Sequence, residues 1–184
     1  MGKLYEEITP ELSAWIGRQP MFFVATAPLA ADGHVNLSPK GLDALRILGP
    51  RQVAYLDLTG SGAETIAHVR ENGRIVLMWC AFSGPPKIVR LHGRATVVTR
   101  ASPDWQAWCA RFPTMAAPRS VVVVDVTRVS DSCGYGVPQM SFVEHRDAMD
   151  RWAATRGAAA LPAYRLEKNL RSIDGLPALD AGEA

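Results

Sequence analysis

The sequence predicts a mainly β fold of the α+β type: a largely antiparallel sheet with helices set outside it. Three observations carry this. Strand-length apolar runs recur, at Met21 to Thr26, Val53 to Leu58, Ile75 to Trp79, Ile88 to Val98 and Ser120 to Val129. Turn residues separate them, with 15 Gly and 13 Pro in 184 residues. Only one strand–helix–strand unit occurs, so the alternation that marks a parallel α/β sheet is missing.

In chain order, Thr9-Pro10-Glu11 starts a helix, with Thr9 as cap and Pro10 at the first helical position. Leu12, Trp15 and Ile16 share its packing face, and Gln19-Pro20 ends it. The run Met21 to Thr26 is a strand by length, and Ala31-Asp32-Gly33 is a hairpin-type turn. The next segment, HVNLSPKG from His34 to Gly41, alternates. As a strand it sets Asn36, Ser38 and Lys40 on one face, and Val35, Leu37 and Pro39 on the other, apolar face, which is the one expected to pack. Pro39 cannot donate to a ladder and belongs at an edge or strand end. Leu42 to Leu48 is a further short run.

From Arg51 to Trp79 a strand enters the turn Thr59-Gly60-Ser61-Gly62, a short helix follows, and a second strand leaves. Ser61 and Glu64 stand in the S-x-x-E spacing of a capping box. Asn72-Gly73 stops the helix, because Gly accepts the left-handed conformation there. Free amides at a helix start, beside two glycines, make an anion site. In IVRLHGRATVV, Val89, Leu91, Ala95 and Val97 oppose Arg90, His92, Arg94 and Thr96, and Gly93 marks a bulge or close backbone approach. Ser102-Pro103-Asp104 starts a helix that packs through Trp105, Trp108 and Cys109. The β-branched run Ser120 to Val129 is a strand, Ser130 to Met140 a structured loop, and residues 145–156 a helix with Met149, Trp152 and Ala153 inward. Ala158 to Leu170 reads as a helix interrupted at Pro162, and Ser172 to Ala184 as a loop with a frayed end. The total is six or seven strands, within one domain over residues 1–184 that carries a C-terminal helical extension from about 145.

Composition excludes several function classes. Apolar residues make up 48% and charged residues 21%, and the net charge is +2 with the two signs interleaved. Such a chain offers no tail for nucleic acid and no polybasic membrane patch. No apolar stretch approaches the roughly 18 residues of a membrane span, and the start MGKLYEEITP lacks a signal-peptide core. A cytoplasmic protein is expected. Cys80, Cys109 and Cys133 are scattered, which argues against zinc and against a disulfide framework. His34, His68, His92 and His145 show no metal spacing. The Rossmann fingerprint fails because its third glycine would fall at Thr65 and no acidic residue closes the next strand. The P-loop and nucleophile-elbow motifs are absent. What remains is an anion-binding helix start and a polar strand face bearing Lys40, which together suit a phosphate-bearing cofactor with a flat ring.

The motifs NLSPKG (Asn36 to Gly41), YLDLTGSGAETIAHVRENGRIVLMWCAF (Tyr55 to Phe82), RLHG (Arg90 to Gly93), RSVVVVDV (Arg119 to Val126) and SCGYGVPQM (Ser132 to Met140) resemble, in order, the pyridoxamine 5′-phosphate oxidase-related, FMN-binding split-barrel proteins. The chain is most similar to an uncharacterised bacterial branch that also ends in a motif like KNLRSIDGLPAL, Lys168 to Leu179. The resemblance implies a six-stranded antiparallel split β-barrel with peripheral helices, a homodimer, and FMN in clefts at the interface. It implies an FMN-dependent oxidoreductase of unassigned substrate and catalytic residues. F420 or haem in the same fold, or a non-enzymatic flavin carrier or sensor, are the alternatives, with His34, His92 or His145 open as a haem ligand. By the same resemblance Asn36, Leu37, Ser38, Pro39 and Lys40 line the flavin ring and ribityl chain. The segment with Ser61, Gly62, Glu64 and Thr65 meets the phosphate, Asp57 is a further cofactor-binding residue, and Tyr135 or a Trp, from the partner chain, is the candidate to cover the ring. Lys40 is the cation placed to stabilise negative charge on the ring. Gly-Ser-Gly-Ala-Glu-Thr replaces the basic phosphate contacts of the true oxidases, so amides and hydroxyls, with Lys40 or an arginine, must hold the phosphate, and Glu64 is read as a capping residue turned to the backbone.

Overall fold

The structure is a computed structural model that describes residues 2–184. Eight strands form one antiparallel sheet: β1 (Leu4–Tyr5), β2 (Phe22–Thr26), β3 (Asn36–Lys40), β4 (Leu45–Gly49), β5 (Gln52–Leu58), β6 (Arg74–Cys80), β7 (Ile88–Thr99) and β8 (Pro118–Ser132). Five α-helices flank it: α1 (Pro10–Gly17), α2 (Glu64–Asn72), α3 (Trp105–Cys109), α4 (Ala148–Arg156) and α5 (Leu161–Lys168). The order across the sheet is β3-β2-β6-β7-β8-β5-β4, with β1 paired to the far end of β8. The strand beyond the expected six or seven is β1, two residues long and too short to show a pattern.

The sheet's two edges are β3 and β4, joined by the turn Gly41–Ala44, in which Leu42 and Asp43 both have positive φ (62° and 56°). They do not pair. Side chains close the split instead: Lys40 of β3 reaches Asp57 of β5 at 2.9 Å. Pro39 thus sits on an edge strand, where its missing N–H costs no ladder bond.

Two of the strands are apolar on both faces because both faces are covered. On β8, Val122 and Val124 enter the main core with Val24, Leu77, Trp79 and Leu91. Val121 and Val123 face the other way, against Trp105 of α3 and Phe112. β5 divides likewise, with Val53 and Tyr55 in the first cluster and Ala54 and Leu56 in the second. Gly93 marks the β7 bulge, since the register shifts between His92 and Gly93 and a Cβ there would lie 2.3 Å from the Asp125 carbonyl oxygen.

Several local expectations change. The polar face of β3 turns inward, and the apolar one is exposed, with Leu37 at 63% and Val35 beside the strand at 72%. The reason is the ring of polar partners that β2, β5 and α2 supply. β8 runs on to Ser132, three residues into the expected loop, because β7 and β1 both continue to pair with it. No residue of α4 is buried, although Met149, Trp152 and Ala153 do form its half-buried side. Pro162 opens α5 rather than interrupting a helix. The C-terminus is packed, not frayed: Ala178 and Leu179 are buried against Ala63, Ile66 and Ala67 of the α2 start, and Glu183 pairs with Arg70 at 2.7 Å.

Candidate functional site

The polar face of β3 continues into a buried hydrogen-bonded cluster. Ser38 Oγ donates to Asn36 Oδ1 (3.0 Å), and Asn36 Nδ2 donates to Thr26 Oγ1 (3.2 Å) and Thr65 Oγ1 (3.0 Å). Thr26 Oγ1 meets His68 Nδ1 at 3.0 Å. Strand pairing places Thr26 opposite Asn36, and the helical offset of three puts Thr65 and His68 on one side of α2. His68 is fully buried and its Nε2 has no partner. Burial holds its pKa below the ordinary histidine value, so the ring is neutral. Tyr55 Oη is also buried without a partner, and burial followed by the Asp57 charge raises its pKa well above the usual phenol. The third orphaned atom among the described residues is Asn169 Oδ1.

Beside this cluster lies a charged one. Asp57 is buried and accepts from Lys40 Nζ (2.9 Å), Arg119 Nε (2.8 Å), Arg119 Nη2 (2.7 Å) and Ser120 Oγ (3.2 Å). Burial alone would raise its pKa; Arg119 and Lys40 overcome that and bring it down to about 2. Two cations and one carboxylate leave a net positive charge. Arg165 of α5 adds another cation: it is buried, donates to Thr59 Oγ1 at 2.9 Å, and forms no ion pair among the described residues. Burial, then Arg100 and Arg119, push its pKa down to about 10, so it stays charged at neutral pH.

The turn before α2 is where these groups meet. Arg119 Nη1 holds the Gly62 carbonyl oxygen at 2.7 Å, and Asn169 Nδ2 holds that of Gly60 at 2.9 Å. The capping box does not form. α2 begins at Glu64, its N-cap is Ala63, and no side chain caps it. The Glu64 carboxylate instead accepts from Ile173 N at 3.3 Å and lies on Gly62, where a Cβ would be 2.3 Å from Oε2. The turn is shaped from outside by Arg119 and Asn169, and this displaces Ser61 from the cap. As a result the backbone N–H groups of Ser61 to Ile66 have no hydrogen-bond partner among the described residues. Six free amides at a helix start attract an anion.

Of the residues singled out from sequence, the structure brings together Asn36, Ser38, Lys40, Asp57 and Thr65, with Ser61, Gly62 and Glu64 at the adjoining turn. Leu37 and Pro39 point away to the exposed face. Tyr135 is 83% exposed on the loop after β8, with no hydrogen bond to the cluster. Sequence reasoning missed Thr26, His68 and Asn169, and the arginine it expected at the phosphate was not identified as Arg119 or Arg165. Of the three histidines open as haem ligands, His34 is bound to Asp174 at 2.6 Å, His92 lies half-buried on β7, and His145 lines a separate cleft.

A family model described as Pyridoxamine 5′-phosphate oxidase matches residues 8–133. The chain belongs to this family. The match ends at the loop after β8, so the family's shared region holds β2 to β8 and α2, while Arg165 and Asn169 lie outside it. A curated relative, the "Pyridoxamine 5′-phosphate oxidase family protein ustO" of Aspergillus flavus, is 38% identical over 95% of this chain and 77% of its own length. That alignment does extend across the C-terminal segment. Among solved structures, HupZ from Group A Streptococcus aligns with a TM-score of 0.53 at 25% identity, over 66% of this chain and 91% of that one. A putative pyridoxamine 5′-phosphate oxidase from Lactobacillus delbrueckii aligns with a TM-score of 0.51 at 19% identity, over 68% and 94%. These likenesses show the split-barrel fold of the family. No helix among the described residues is long and apolar enough to cross a membrane.

Proposed function

We propose that this chain is an FMN-binding oxidoreductase whose cofactor phosphate is held at the start of α2. The observation that carries the reading is the run of free amides from Ser61 to Ile66 beside a cluster with surplus positive charge. In family members that bind flavin, a phosphate must be met by something; here amides, Thr65 and Arg119 fit, in place of basic side chains within the turn itself. The inner face of β3 suits the rest of the molecule: Ser38 Oγ and Asn36 Oδ1 keep acceptor lone pairs, and Lys40 adds a cation already oriented by Asp57. The orphaned Tyr55 Oη, His68 Nε2 and Asn169 Oδ1 all belong to residues around this region, where a ligand or water can still satisfy polar atoms.

Bound flavin would supply hydride or electron transfer. The chain's own part is placement and charge. Asp57 fixes the Lys40 ammonium so that little rotamer freedom is lost when a negative group approaches, and Arg119 holds both Asp57 and the turn. His68, neutral and buried, orients Asn36 through Thr26.

The reading extends to a homodimer. β3 is an unprotected edge strand whose outer face carries Leu37, with Val35 just before it, and a second copy would cover it. Tyr135, exposed in one chain, is then available to cover the ring in the other.

The test is an absorbance spectrum of the protein as isolated, followed by fluorescence titration with FMN and with riboflavin. The expected result is saturable uptake of FMN and affinity for riboflavin at least about tenfold weaker, since riboflavin lacks the phosphate. A colourless protein that takes up no FMN ends the proposal. Equal affinity for the two would remove the α2 start from the site.

A further inference from the structure

A wide cleft lies apart from the buried polar and charged clusters and contains none of their residues. It encloses about 1020 Å³ between the end of α1, the β6–β7 loop and the segment that follows β8. That is at the upper end of the roughly 300–1,000 Å³ range of small-molecule sites.

Its chemistry is specific. Trp15, Met21, Phe82 and Phe142 supply apolar, largely aromatic walls. The third wall is tied to the second by Met140 N, which donates to the Phe82 carbonyl oxygen at 2.8 Å. That wall is apolar at its rim yet bare: Met140 is 58% exposed and Phe142 57%. Large apolar side chains clustered on one irregular segment are left in water at a cost that a ligand would remove.

Two cations, Lys87 and Arg18, stand among its polar groups. Lys87 is preset, with its ammonium 5.6 Å from the Trp15 ring centroid, 6.0 Å from that of Tyr5, and 3.3 Å from Asp131. Arg18 also lines the cleft, and its guanidinium has no hydrogen-bond or ion-pair partner among the described residues. The one lining carboxylate, Asp43, is already engaged by Arg46 at 2.9 Å, from outside the cleft. The lining therefore carries uncompensated positive charge over an aromatic floor.

We infer that this cleft binds a planar aromatic anion, a carboxylate or sulfonate whose ring packs between Trp15 and Phe142 while Arg18 meets its charge. The inference does not rest on flavin binding. The two sites are neighbours, however: His145, in the cleft lining, lies against Gly41, the residue after Lys40, with a Gly41 Cβ 3.8 Å from its Nδ1. A ligand here would lie beside the Lys40 end of β3.

Two dyes of the same ring system separate charge from apolar contact: 8-anilinonaphthalene-1-sulfonate, an aromatic anion, and N-phenyl-1-naphthylamine, its uncharged counterpart. The full chain is titrated with each by fluorescence, with and without saturating FMN. The anionic dye is expected to saturate at one per chain and to bind about tenfold more tightly than the neutral one. Arg18→Ala should abolish that difference by weakening only the anion, and Phe142→Ala should weaken both. Arg18 and Phe142 are exposed, so both variants should keep the parent's unfolding midpoint. Saturating FMN should leave dye affinity unchanged. Absence of saturable binding, equal affinity for the two dyes, or an unaffected Arg18→Ala variant overturns the inference. So does displacement of the dye by FMN, which would move it to the α2 region, or its loss as the chain self-associates, which would make the cleft an interface.

Discussion

Replacing Asp57 by Asn tests the charged cluster most directly. The substitution keeps the side chain's shape but removes the charge that four donors share: Lys40 Nζ, Arg119 Nε and Nη2, and Ser120 Oγ, all between 2.7 and 3.2 Å. It also turns two N–H groups toward a guanidinium that is 5% exposed. Breaking a buried ion pair by removing one partner costs about 3–5 kcal/mol, because the remaining charge is stranded. At about 2–4 °C per kcal/mol for a chain of this size, Tm should fall by about 6–20 °C. Thermal and urea unfolding of the parent, Asp57→Asn, Lys40→Met and the double variant would measure it. The double variant strands one cation fewer, so it should be at least about 1 kcal/mol more stable than Asp57→Asn alone. The pH dependence has a definite sign. Asp57 is held at about 2 against an ordinary 3.8, so its contribution of about 2 kcal/mol is complete above the ordinary value and is lost as pH falls toward 2. Asp57→Asn should lack that part of the acid transition. A single variant within about 1 kcal/mol of the parent, with an unchanged acid limb, would refute the cluster as a buried, mutually dependent unit.

Other expectations follow from the same geometry. Glu64 places a like charge on the turn assigned to phosphate, so Glu64→Gln should tighten FMN binding in a fluorescence titration; weaker binding would mean the carboxylate supports the turn. Leu179→Ala removes a fully buried side chain from beneath the start of α2 and should cost about 2–5 kcal/mol in urea unfolding. Gly93→Ala drives a Cβ against the Asp125 carbonyl oxygen, so its urea midpoint should drop by the equivalent of about 1–3 kcal/mol or more. The exposed His34–Asp174 pair ties the β2–β3 loop to the C-terminal segment. Asp174, chiefly through its bond to His34, is lowered, and His34, through the same bond, is raised. Amide protection (the intrinsic over the observed exchange rate) at Asp174 and its neighbours should therefore be greatest between the two titrations. It should fall as pH drops through the Asp174 transition or rises through that of His34, and His34→Asn should flatten the upper limb.

Most strands were legible because their patterns are local. Alternation in Ile88–Thr99 and β-branching in Ser120–Val129 need no knowledge of the rest of the chain. Helix stops were legible for the same reason: Gly73 at φ 70° ends α2 as its sequence predicts. Alternation on β3 gave two faces but not their direction. Which face turns inward depends on Thr26, Thr65 and Asp57, and these come from three other elements. A polar face meeting polar partners outweighed three apolar side chains at an edge.

The charged cluster was half legible, through a signal that could have been read further. Asp57 interrupts an apolar strand run, and Arg119 stands just before four valines, with only Ser120 between. A charge inside a buried strand is tolerable only when paired, so two such charges of opposite sign in one sheet imply each other. The register agrees, since β5 and β8 are neighbours and Asp57 lies opposite Ser120, one residue from Arg119. The C-terminal contribution had no such signal. Asn169 and Arg165 are two polar residues on or just after a short helix, and nothing local tells a solvent-facing arginine from one that is 2% exposed. Their placement follows from Ala178 and Leu179, a small apolar pair that anchors the tail on α2 and so brings the whole segment over the turn. The segment beyond the family match is thus a structural part of the α2 start. Any account of what binds there has to include it.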